Sequence, residues 1–337
     1  MEDWAPSSLA ESWDHPGLQV GNPNQPVHKI LVALDMTELN ISYAIDHGVD
    51  MVISHHPFLF KPIHDIDLST CKGRMIENLI RHRITSFAAH TNLDSAVQGV
   101  NDALAEKLGL QECKGFVPVM TYSSYKFTLY ITAAHAKLLK KKLDSLRGKD
   151  IESYYVVDDA DDFTENIRVE FRVPGQLVKR VEDMILSLDK SAKYDVYKLV
   201  NHGYKETMGR IGKFPFPMSV EEALSYIKNK LEIPVLRYAG NRDRLVEKIA
   251  ILGGAGAEFA GVAKSMGADL YLTGDLKYHE AQDAAMNGLV IADGGHFYTE
   301  RVIIPYLAKR LRDEFKTRGW NVGVLEDVRA KDIFHCV

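Results

Sequence analysis

Short apolar runs alternate with longer amphipathic segments along two stretches of this chain. Apolar runs of roughly four to eight residues are typical of buried strands, whereas apolar residues about three or four positions apart are typical of helices. This alternation predicts parallel sheets whose strands are connected by crossover helices. In the first stretch it predicts strands at 29–35, 51–54 and 84–89, and helices at 37–47, 72–82 and 100–108. In the second it predicts strands at 248–252, 270–273, 289–292 and 321–325, and helices after the glycines of 253–256, at 278–286 and at 299–315.

The middle of the chain, residues 122–202, has a different pattern. Apolar and polar residues alternate as in strands at 127–132, 166–173 and 194–200, and helical spacing occupies 135–147 and 176–188. This order predicts a small α+β domain of the ferredoxin-like sort, inserted between segments 1–121 and 203–337 of an α/β core. The acidic run at 158–162 is interpreted as a solvated loop. The predicted fold is therefore α/β, with two halves of mainly parallel sheets flanked by helices, plus the inserted domain.

Composition narrows the class of protein. The 337 residues are 46% apolar and 26% charged, which is typical of a globular protein with more than one domain. We see no secretory signal and no apolar stretch of the roughly 18 residues that a membrane span requires. The three cysteines are far apart, which favours reduced thiols in the cytoplasm over a disulfide framework. A net charge of -5 makes nucleic acid an unlikely partner.

Polar clusters follow three of the predicted strands, at the point where each strand ends. Each cluster holds histidine or carboxylate side chains: His55 and His56 after strand 51–54, His90 and Asp94 after strand 84–89, and His296 and Glu300 after strand 289–292. The carboxyl ends of parallel strands meet at one edge of a sheet, where ligands bind. We therefore expect these three clusters to lie together.

The side chains of these clusters are metal-binding types. Imidazole and carboxylate groups bind zinc, iron, manganese or nickel. His296 and Glu300 are four residues apart where a helix begins, so both can point to one face. His55 and His56 can each reach a different ion, and a carboxylate from Asp94 or Glu300 can bridge two ions roughly 3.5–4 Å apart.

The same residues have simpler interpretations. Two adjacent histidines often occur in a loop without any function. A histidine and a glutamate four residues apart often form an ordinary side-chain pair on a helix. His90 can be a ligand, or it can orient Asp94 without binding a cation. The coincidence of three clusters at three strand ends favours a two-metal site of His55, His56, Asp94, His296 and Glu300. The alternative, that these side chains only pack against their neighbours, stays open.

Two further segments can line such a site. Residues 273–280 follow a strand and include Lys277 and His279, which can neutralise phosphate or move a proton, although the segment can equally be a helix cap. The turn at 253–256 has three glycines and can bind an anion on backbone N–H groups, or it can simply be tight. We find no nucleophile elbow, P-loop, paired-cysteine motif or dinucleotide fingerprint, which favours metal-activated water over a covalent mechanism.

Several motifs together resemble the Nif-three-like family (NGG-one-interacting factor three), also labelled GTP cyclohydrolase 1 type 2 homologues. They are SWDHPGLQVG, VISHHPFLFKPI, AAHTNLDSAVQGVNDALAEKLGL, LTGDLKYHEA and GGHFYTE. The resemblance covers roughly residues 4–121 and 206–312. The middle segment resembles the CutA/PII-like domain of the longer bacterial members.

The resemblance implies a dinuclear metal site. It maps the paired histidines of the family onto His55 and His56, the aspartate of its HTNLD motif onto Asp94, and its final histidine and glutamate onto His296 and Glu300. It also implies a toroidal homohexamer whose metal sites face an internal cavity.

These observations lead to two functional hypotheses. The first is a hydrolase with two divalent ions per subunit (zinc, iron or manganese) acting on a nucleotide or another phosphorylated small molecule, with opening of the GTP ring as one option. Lys277 or His279 would then neutralise phosphate or shuttle a proton. The second is a non-catalytic protein that stores, delivers or senses a metal. The sequence names neither the native metal nor the substrate.

Overall fold

The computed structural model describes residues 1–144, 152–157 and 166–335. The chain folds as two compact units, one formed by Met1–Val119 with Thr207–Val337 and the other by Met120–Glu206. The predicted acidic loop at 158–162 and the last residues of the predicted helix 135–147 lie outside the described residues.

The strands and helices are numbered in chain order. The strands are β1 (Gly17–Val20), β2 (Lys29–Ala33), β3 (Met51–Ser54), β4 (Thr85–Ala88), β5 (Gln111–Lys114), β6 (Val117–Thr132), β7 (Glu152–Val157), β8 (Asn166–Pro174), β9 (Lys193–Met208), β10 (Arg210–Ser219), β11 (Arg237–Ala239), β12 (Leu245–Ala255), β13 (Leu270–Gly274), β14 (Val290–Asp293) and β15 (Gly323–Glu326). The helices are α1 (Glu38–Asp46), α2 (Cys71–Arg81), α3 (Thr91–Ser95), α4 (Val100–Lys107), α5 (Ala133–Asp144), α6 (Val178–Leu188), α7 (Val220–Leu231), α8 (Ala260–Ser265), α9 (Tyr278–Met286), α10 (His296–Glu300) and α11 (Ile303–Arg318). Short 3₁₀ turns lie at Ser7–Leu9, Gly175–Leu177 and Ala257–Phe259.

The first unit contains two mixed sheets. The five-stranded sheet has the order β1-β4-β3-β2-β15, and every neighbouring pair is parallel except β1 with β4. The six-stranded sheet has the order β11-β14-β13-β12-β10-β5, in which only the β12-β13 and β13-β14 pairs are parallel. The expectation of mainly parallel sheets is therefore wrong for the second sheet. The antiparallel strands β5 and β11 are short and mostly exposed, so they lack the apolar runs that marked the central strands.

Helix ends follow local chemistry. Thr37 caps α1 by accepting from the backbone N–H of Asn40, and Ser219 caps α7 in the same way through Glu222. The single helix predicted at 299–315 is instead two helices, α10 and α11, with a turn between them. Pro305 lies in the first turn of α11, where a missing N–H costs no hydrogen bond.

Apolar side chains from both faces of the sheets form the core of this unit. Val32 and Ile53 of the five-stranded sheet pack with Leu307 of α11 and Val100 of α4. Ile251 and Leu272 of the six-stranded sheet pack with residues of α4 and α7. Because α4 contacts both groups, it fixes the two sheets against each other.

The second unit has a four-stranded sheet in the order β7-β8-β6-β9. Along the chain its elements follow one another as β6, α5, β7, β8, α6 and β9. Strand β8 is antiparallel to both β6 and β7. Phe127 and Phe171 stack with their ring centroids 5.3 Å apart in its core.

Across the described residues, every helix is too short or too polar to span a lipid bilayer.

An ion pair fixes α4 to the six-stranded sheet and provides a test of the fold. The carboxylate of Asp102 accepts from Nε and Nη2 of Arg210 at 2.5 and 2.6 Å, and the Arg210 side chain is buried. Removal of the negative charge in Asp102→Asn leaves a buried guanidinium without its counter-charge, so the free energy of unfolding should fall by about 2–4 kcal/mol. Urea denaturation measures this. Glu77→Gln, which breaks the exposed pair of Glu77 with Arg81, is the control and should cost less than about 1 kcal/mol. Equal effects of the two substitutions would contradict this role for Asp102.

Candidate metal centre

The carboxyl ends of strands from both sheets of the first unit meet at one place. Strand β3 ends at Ser54 and is followed by His55 and His56, whereas β14 leads through two glycines into α10. Helix α10 begins at His296 and ends at Glu300, so one helical turn presents both side chains to the histidine pair. The sequence-predicted clusters are therefore contributed by two different sheets.

Glu300 lies at the centre of this cluster. Its Oε2 atom is 2.8 Å from Nε2 of His56 and 3.1 Å from Nε2 of His296. The two Nε2 atoms are themselves 3.3 Å apart. Its other oxygen, Oε1, lies 3.7 Å from Nε2 of His55. One oxygen of this buried carboxylate thus faces one imidazole, and the other oxygen faces two.

Two buried polar atoms in the cluster lack hydrogen-bond partners within the described part of the chain. They are Nε2 of His55 and Oδ1 of Asp94, which lie 3.6 Å apart. Buried polar atoms are normally satisfied, so such a facing pair indicates that another group belongs between them. His55, His56 and Glu300 offer ligand atoms within 4.8 Å of one another and can hold a metal ion. A divalent cation fits these donors because imidazole and carboxylate are both good ligands for it.

Each imidazole is oriented by an oxygen on its far side. Nδ1 of His55 donates to the carbonyl oxygen of Ala89 at 2.7 Å. Nδ1 of His56 lies 2.7 Å from Oδ1 of Asp35, and Nδ1 of His296 lies 2.8 Å from Oδ2 of Asp275. Histidine ligands of metals typically use one nitrogen for such a contact and leave the other for the cation. All three Nε2 atoms therefore point inward.

The charges of the cluster balance around Glu300. Burial raises the pKa of Glu300, but His55, His296 and His56 hold it well below its usual value. Burial lowers the pKa of His56, but Asp35 and Glu300 raise it to about 10. In the same way, the pKa of His296 is raised to about 9, mainly by Glu300. Burial raises the pKa of Asp94 to about 6. Protons on the imidazoles thus neutralise the carboxylates when no cation does so.

The glycine turn at 253–256, for which an anion site and a simple tight turn were both open, contacts the cluster. The backbone N–H of Gly253 donates to Oδ1 of Asn101, and that of Gly254 donates to Oγ1 of Thr299, so both donors are used within the protein. Gly254 has a φ of +67°, and a Cβ atom there would overlap Oε1 of Glu300. The absence of a side chain at Gly254 leaves the space that Glu300 occupies.

His90 lies beside the ligands without joining their hydrogen bonds. Its ring centroid is 5.5 Å from that of His55 and 5.8 Å from that of His56. Its Nδ1 atom lies 2.9 Å from Oδ1 of Asp14, a residue that the sequence pattern did not mark as functional. His90 therefore packs against the two ligand rings.

Lys277 and His279 do not join the cluster. The Lys277 side chain is 82% exposed and lies 3.9 Å from Glu280, and its residue caps α9. His279 is exposed on α9, where its ring contacts Tyr278. In the described residues neither side chain contacts a predicted ligand. Their predicted roles in phosphate neutralisation or proton transfer stay predictions.

Sequence reasoning missed Asp35 and gave Asp275 no separate role, although the segment 273–280 that could line the site contains it. Each follows a parallel strand, β2 or β13, on the side where the histidines lie. The strand-end argument that selected His55 and Asp94 applies equally to both aspartates. A lone aspartate after a strand is also an ordinary turn residue, and Asp275 can equally begin a helix as its cap.

A cavity of about 1200 Å³ opens from the outer side of the cluster. His56, His296 and their partners Asp35 and Asp275 form part of its wall. Apolar, cationic and acidic side chains contribute the rest, among them Leu39, Val235, Tyr298, Phe334, Arg237, Arg329, Lys331, Asp293, Asp327 and Asp332. The histidines are thus accessible to a small molecule from this side.

Comparison with known proteins identifies the family of this chain. A profile of the Duf34/NIF3 (NGG1p interacting factor 3) family matches residues 1–331. The chain belongs to this family. The resemblance seen in the sequence motifs is confirmed. A NIF3-family relative from Halalkalibacterium halodurans, named a GTP cyclohydrolase 1 type 2 homolog, is 33% identical over 99% of this chain and 96% of its own length.

Solved structures of the NIF3 family share the fold. A Bacillus cereus protein related to NIF3 is 33% identical, covers 100% of this chain and 96% of its own, and superposes with a TM-score of 0.88. A Staphylococcus aureus protein is 29% identical with the same coverage and a TM-score of 0.78. The mixed sheets flanked by helices are therefore those of NIF3-related proteins.

Substitution at Gly254 should test how closely Glu300 is held. In Gly254→Ala the added methyl group would displace the Glu300 carboxylate. The affinity for Mn²⁺ or Zn²⁺ should therefore fall at least tenfold, which corresponds to about 1.4 kcal/mol of binding free energy. Gly319→Ala is the matched control, because Gly319 has a φ of +69° and open space around a Cβ atom. Both substitutions should cost about 1–2 kcal/mol of backbone strain, but only the first should reduce metal uptake. Isothermal titration calorimetry decides the matter, and unchanged affinity in Gly254→Ala would contradict the proposed position of the metal.

The raised pKa values predict how the stability of the metal-free protein depends on pH. The folded-state pKa values of His56 and His296, about 10 and about 9, exceed the ordinary value of about 6.5. Their protonated rings therefore contribute stability that is fully present below pH about 6.5 and is lost as the pH rises toward about 10. Urea denaturation of chelator-treated protein at pH 7 and pH 10 should show this loss. In His56→Gln the loss should be smaller, and an equal loss would contradict the assignment.

Proposed function

We propose that this protein binds two divalent metal ions per subunit and hydrolyses a nucleotide or another phosphorylated small molecule. The observation that carries the proposal is the inward-facing set of His55, His56, Asp94, His296 and Glu300, placed beside a large cavity. Among the described residues these five side chains form one cluster. Two of its buried polar atoms, both able to bind a metal ion, have no hydrogen-bond partner.

The arrangement of Glu300 supports two ions rather than one. Its Oε1 atom faces His55, which in turn faces Asp94, whereas its Oε2 atom faces His56 and His296. A carboxylate with different imidazoles at its two oxygens is suited to bridge two cations. Bound divalent ions would supply Lewis acidity and activate water for hydrolysis. Zinc, iron and manganese all suit these ligands, since donor type alone does not choose between them.

The protein itself would bind and orient the substrate. Asp35 and Asp275 hold His56 and His296 on the cavity wall, so groups bound in the cavity meet a fixed surface. The cavity volume of about 1200 Å³ is sufficient for a nucleotide. Its apolar walls can exclude water from around a bound ring, which strengthens polar contacts at the cluster.

Cationic side chains on the same cavity support a phosphorylated substrate. Arg237 pairs with Asp293 and Arg329 pairs with Asp327, whereas Lys331 is exposed. These groups can contact phosphate oxygens, whereas Lys277 and His279 lie outside the cavity wall and would have to reach a substrate from the start of α9. The names of the relatives, GTP cyclohydrolase 1 type 2 homologs, favour a purine nucleotide.

A non-catalytic role in metal storage, delivery or sensing is the second candidate. It is favoured by the burial of His55, Asp94 and Glu300, which leaves little room for a substrate at the inner part of the cluster. Structural and storage sites are typically closed by protein ligands, whereas catalytic sites keep an open position. The cavity beside His56 and His296 favours catalysis over this alternative.

We further propose that residues 122–202 are a ferredoxin-like, CutA/PII-like domain inserted into a core formed by 1–121 and 203–337. The element order and the strand order β7-β8-β6-β9 support this, because they are those of a ferredoxin-like βαββαβ unit. A cytoplasmic homohexamer with the metal sites facing an internal cavity is the expected assembly.

Metal content and turnover together test the proposal. Protein purified without chelator should contain about two equivalents of metal per chain. The His55→Ala, Glu300→Ala double variant should contain none, because it lacks both the inner histidine and the carboxylate that all three histidines face. Elemental analysis measures this. His28→Ala is the control, because His28 is exposed and lies outside the cluster.

The metal-loaded protein should then hydrolyse at least one compound of a nucleotide and phosphoester panel, and the double variant should hydrolyse none. Two equivalents of metal without turnover would favour storage, delivery or sensing. No metal in the purified protein, and no uptake of zinc, manganese or iron(II), would contradict the dinuclear site.

A further inference from the structure

We propose that Asp14 is a positioning residue of the metal centre, which acts through His90 and the first turn of α3 to hold Asp94 in place. This role rests on the proposed metal centre and is independent of the reaction catalysed there.

Asp14 is fully enclosed between the N-terminal segment and the start of α3. Its side chain has no exposed surface. Its Oδ2 atom accepts from the backbone N–H of Thr91 at 3.1 Å and from the Thr91 hydroxyl at 2.6 Å. Its Oδ1 atom accepts from the backbone N–H of His15 at 2.8 Å. Every contact of this carboxylate is therefore with a donor, as an anion requires.

The contact of Asp14 with His90 is close but poorly aligned. Nδ1 of His90 lies 2.9 Å from Oδ1 of Asp14, but it is not aligned for a hydrogen bond. Burial raises the pKa of Asp14, but His90 and Thr91 lower it to about 2. Asp14 thus keeps its negative charge at neutral pH. Asparagine would keep an acceptor oxygen at this position and lose the charge.

The first turn of α3 depends on such contacts for its position. Helix α3 has only five residues, Thr91–Ser95, and a helix of one turn has little stability of its own. The N–H groups of Leu93 and Asp94 both donate to the carbonyl oxygen of His90, at 2.7 and 3.1 Å. Whatever fixes His90 and Thr91 therefore fixes Asp94.

Other residues of the N-terminal segment fasten the same turn. The backbone N–H of Glu11 donates to Oγ1 of Thr91 at 3.0 Å, and Nδ2 of Asn92 donates to the carbonyl oxygen of Ala5 at 2.7 Å. These bonds are neutral, and only Asp14 brings a charge. The neutral contacts and the Asp14 carboxylate hold the turn together, and Asp14 also lies against the His90 ring.

These contacts matter for metal binding because Asp94 and His90 lie next to the histidine ligands. Oδ1 of Asp94 lies 3.6 Å from Nε2 of His55, and the His90 ring packs against the rings of His55 and His56. A shift of α3 would move Asp94 and His90 together and change the geometry of the donor set. Groups that orient metal ligands from outside typically change metal affinity by about 10–100-fold when they are removed.

Binding of Co²⁺ to the full chain tests this role, because its visible absorption reports ligand geometry. In Asp14→Asn we expect about 10–100-fold weaker Co²⁺ binding and an altered visible spectrum. Asp50→Asn is the matched control, since Asp50 accepts backbone N–H bonds from His28 and Lys29 at the opposite end of the same sheet. The control should lose stability in urea but keep the affinity and spectrum of the parent protein.

Thr91→Val provides a milder second test if Asp14→Asn does not fold. It removes the hydroxyl that donates to Asp14 and accepts from the backbone N–H of Glu11, and it should change the affinity and the spectrum in the same direction, by less. Parent-like binding and spectrum in Asp14→Asn, or in Thr91→Val where Asp14→Asn does not fold, would overturn the inference. So would equal losses of affinity in Asp14→Asn and Asp50→Asn at equal stability. A parent protein that takes up no Co²⁺ would overturn the metal centre itself and this role with it, whereas absence of turnover would leave these binding results unaffected.

Discussion

The contact of the buried Glu300 carboxylate with three histidines is the interaction on which the rest of the site depends. Removal of an ionised carboxylate from water costs several kcal/mol, so it is stable only where opposite charges or strong donors surround it. Here His55, His56 and His296 surround it, and they come from the ends of two sheets. The carboxyl ends of strands from both sheets must therefore meet at this point, and Gly254 must lack a side chain.

The outer contacts of the imidazoles make this arrangement rigid. Ala89, Asp35 and Asp275 belong to three different strand ends, and each orients one ring from its far side. Strand ends fixed in a packed sheet move little, so the inward nitrogens are held before any cation arrives. Such preorganisation reduces the cost of binding, because few side-chain rotations remain to be lost. It also leaves one side of His56 and His296 facing the cavity.

The same donors can bind protons or cations. In the absence of metal, raised pKa values keep His56 and His296 protonated beside Glu300, which avoids an unpaired buried charge. A divalent cation would take over that neutralising role and release the protons. The match over residues 1–331 shows membership of the NIF3 family but does not specify a reaction. The proposed chemistry depends on the local charges around Glu300.

The sequence by itself determined the central strands, most helices and the metal-binding type of the five clustered side chains. Apolar runs reveal β3, β12, β13 and β14 because buried strands need apolar side chains on both faces. It did not determine β5 and β11, which are short and exposed, nor the break between α10 and α11. The partners of Asp14, Asp35 and Asp275 were also beyond it, because these contacts arise from distances across the fold, such as the 2.9 Å between Asp14 and His90. Only the position of Asp35 and Asp275 after a strand could be read from the sequence. Residue type determines which chemistry is available, but only tertiary packing decides which donors face one another and which are left without a partner.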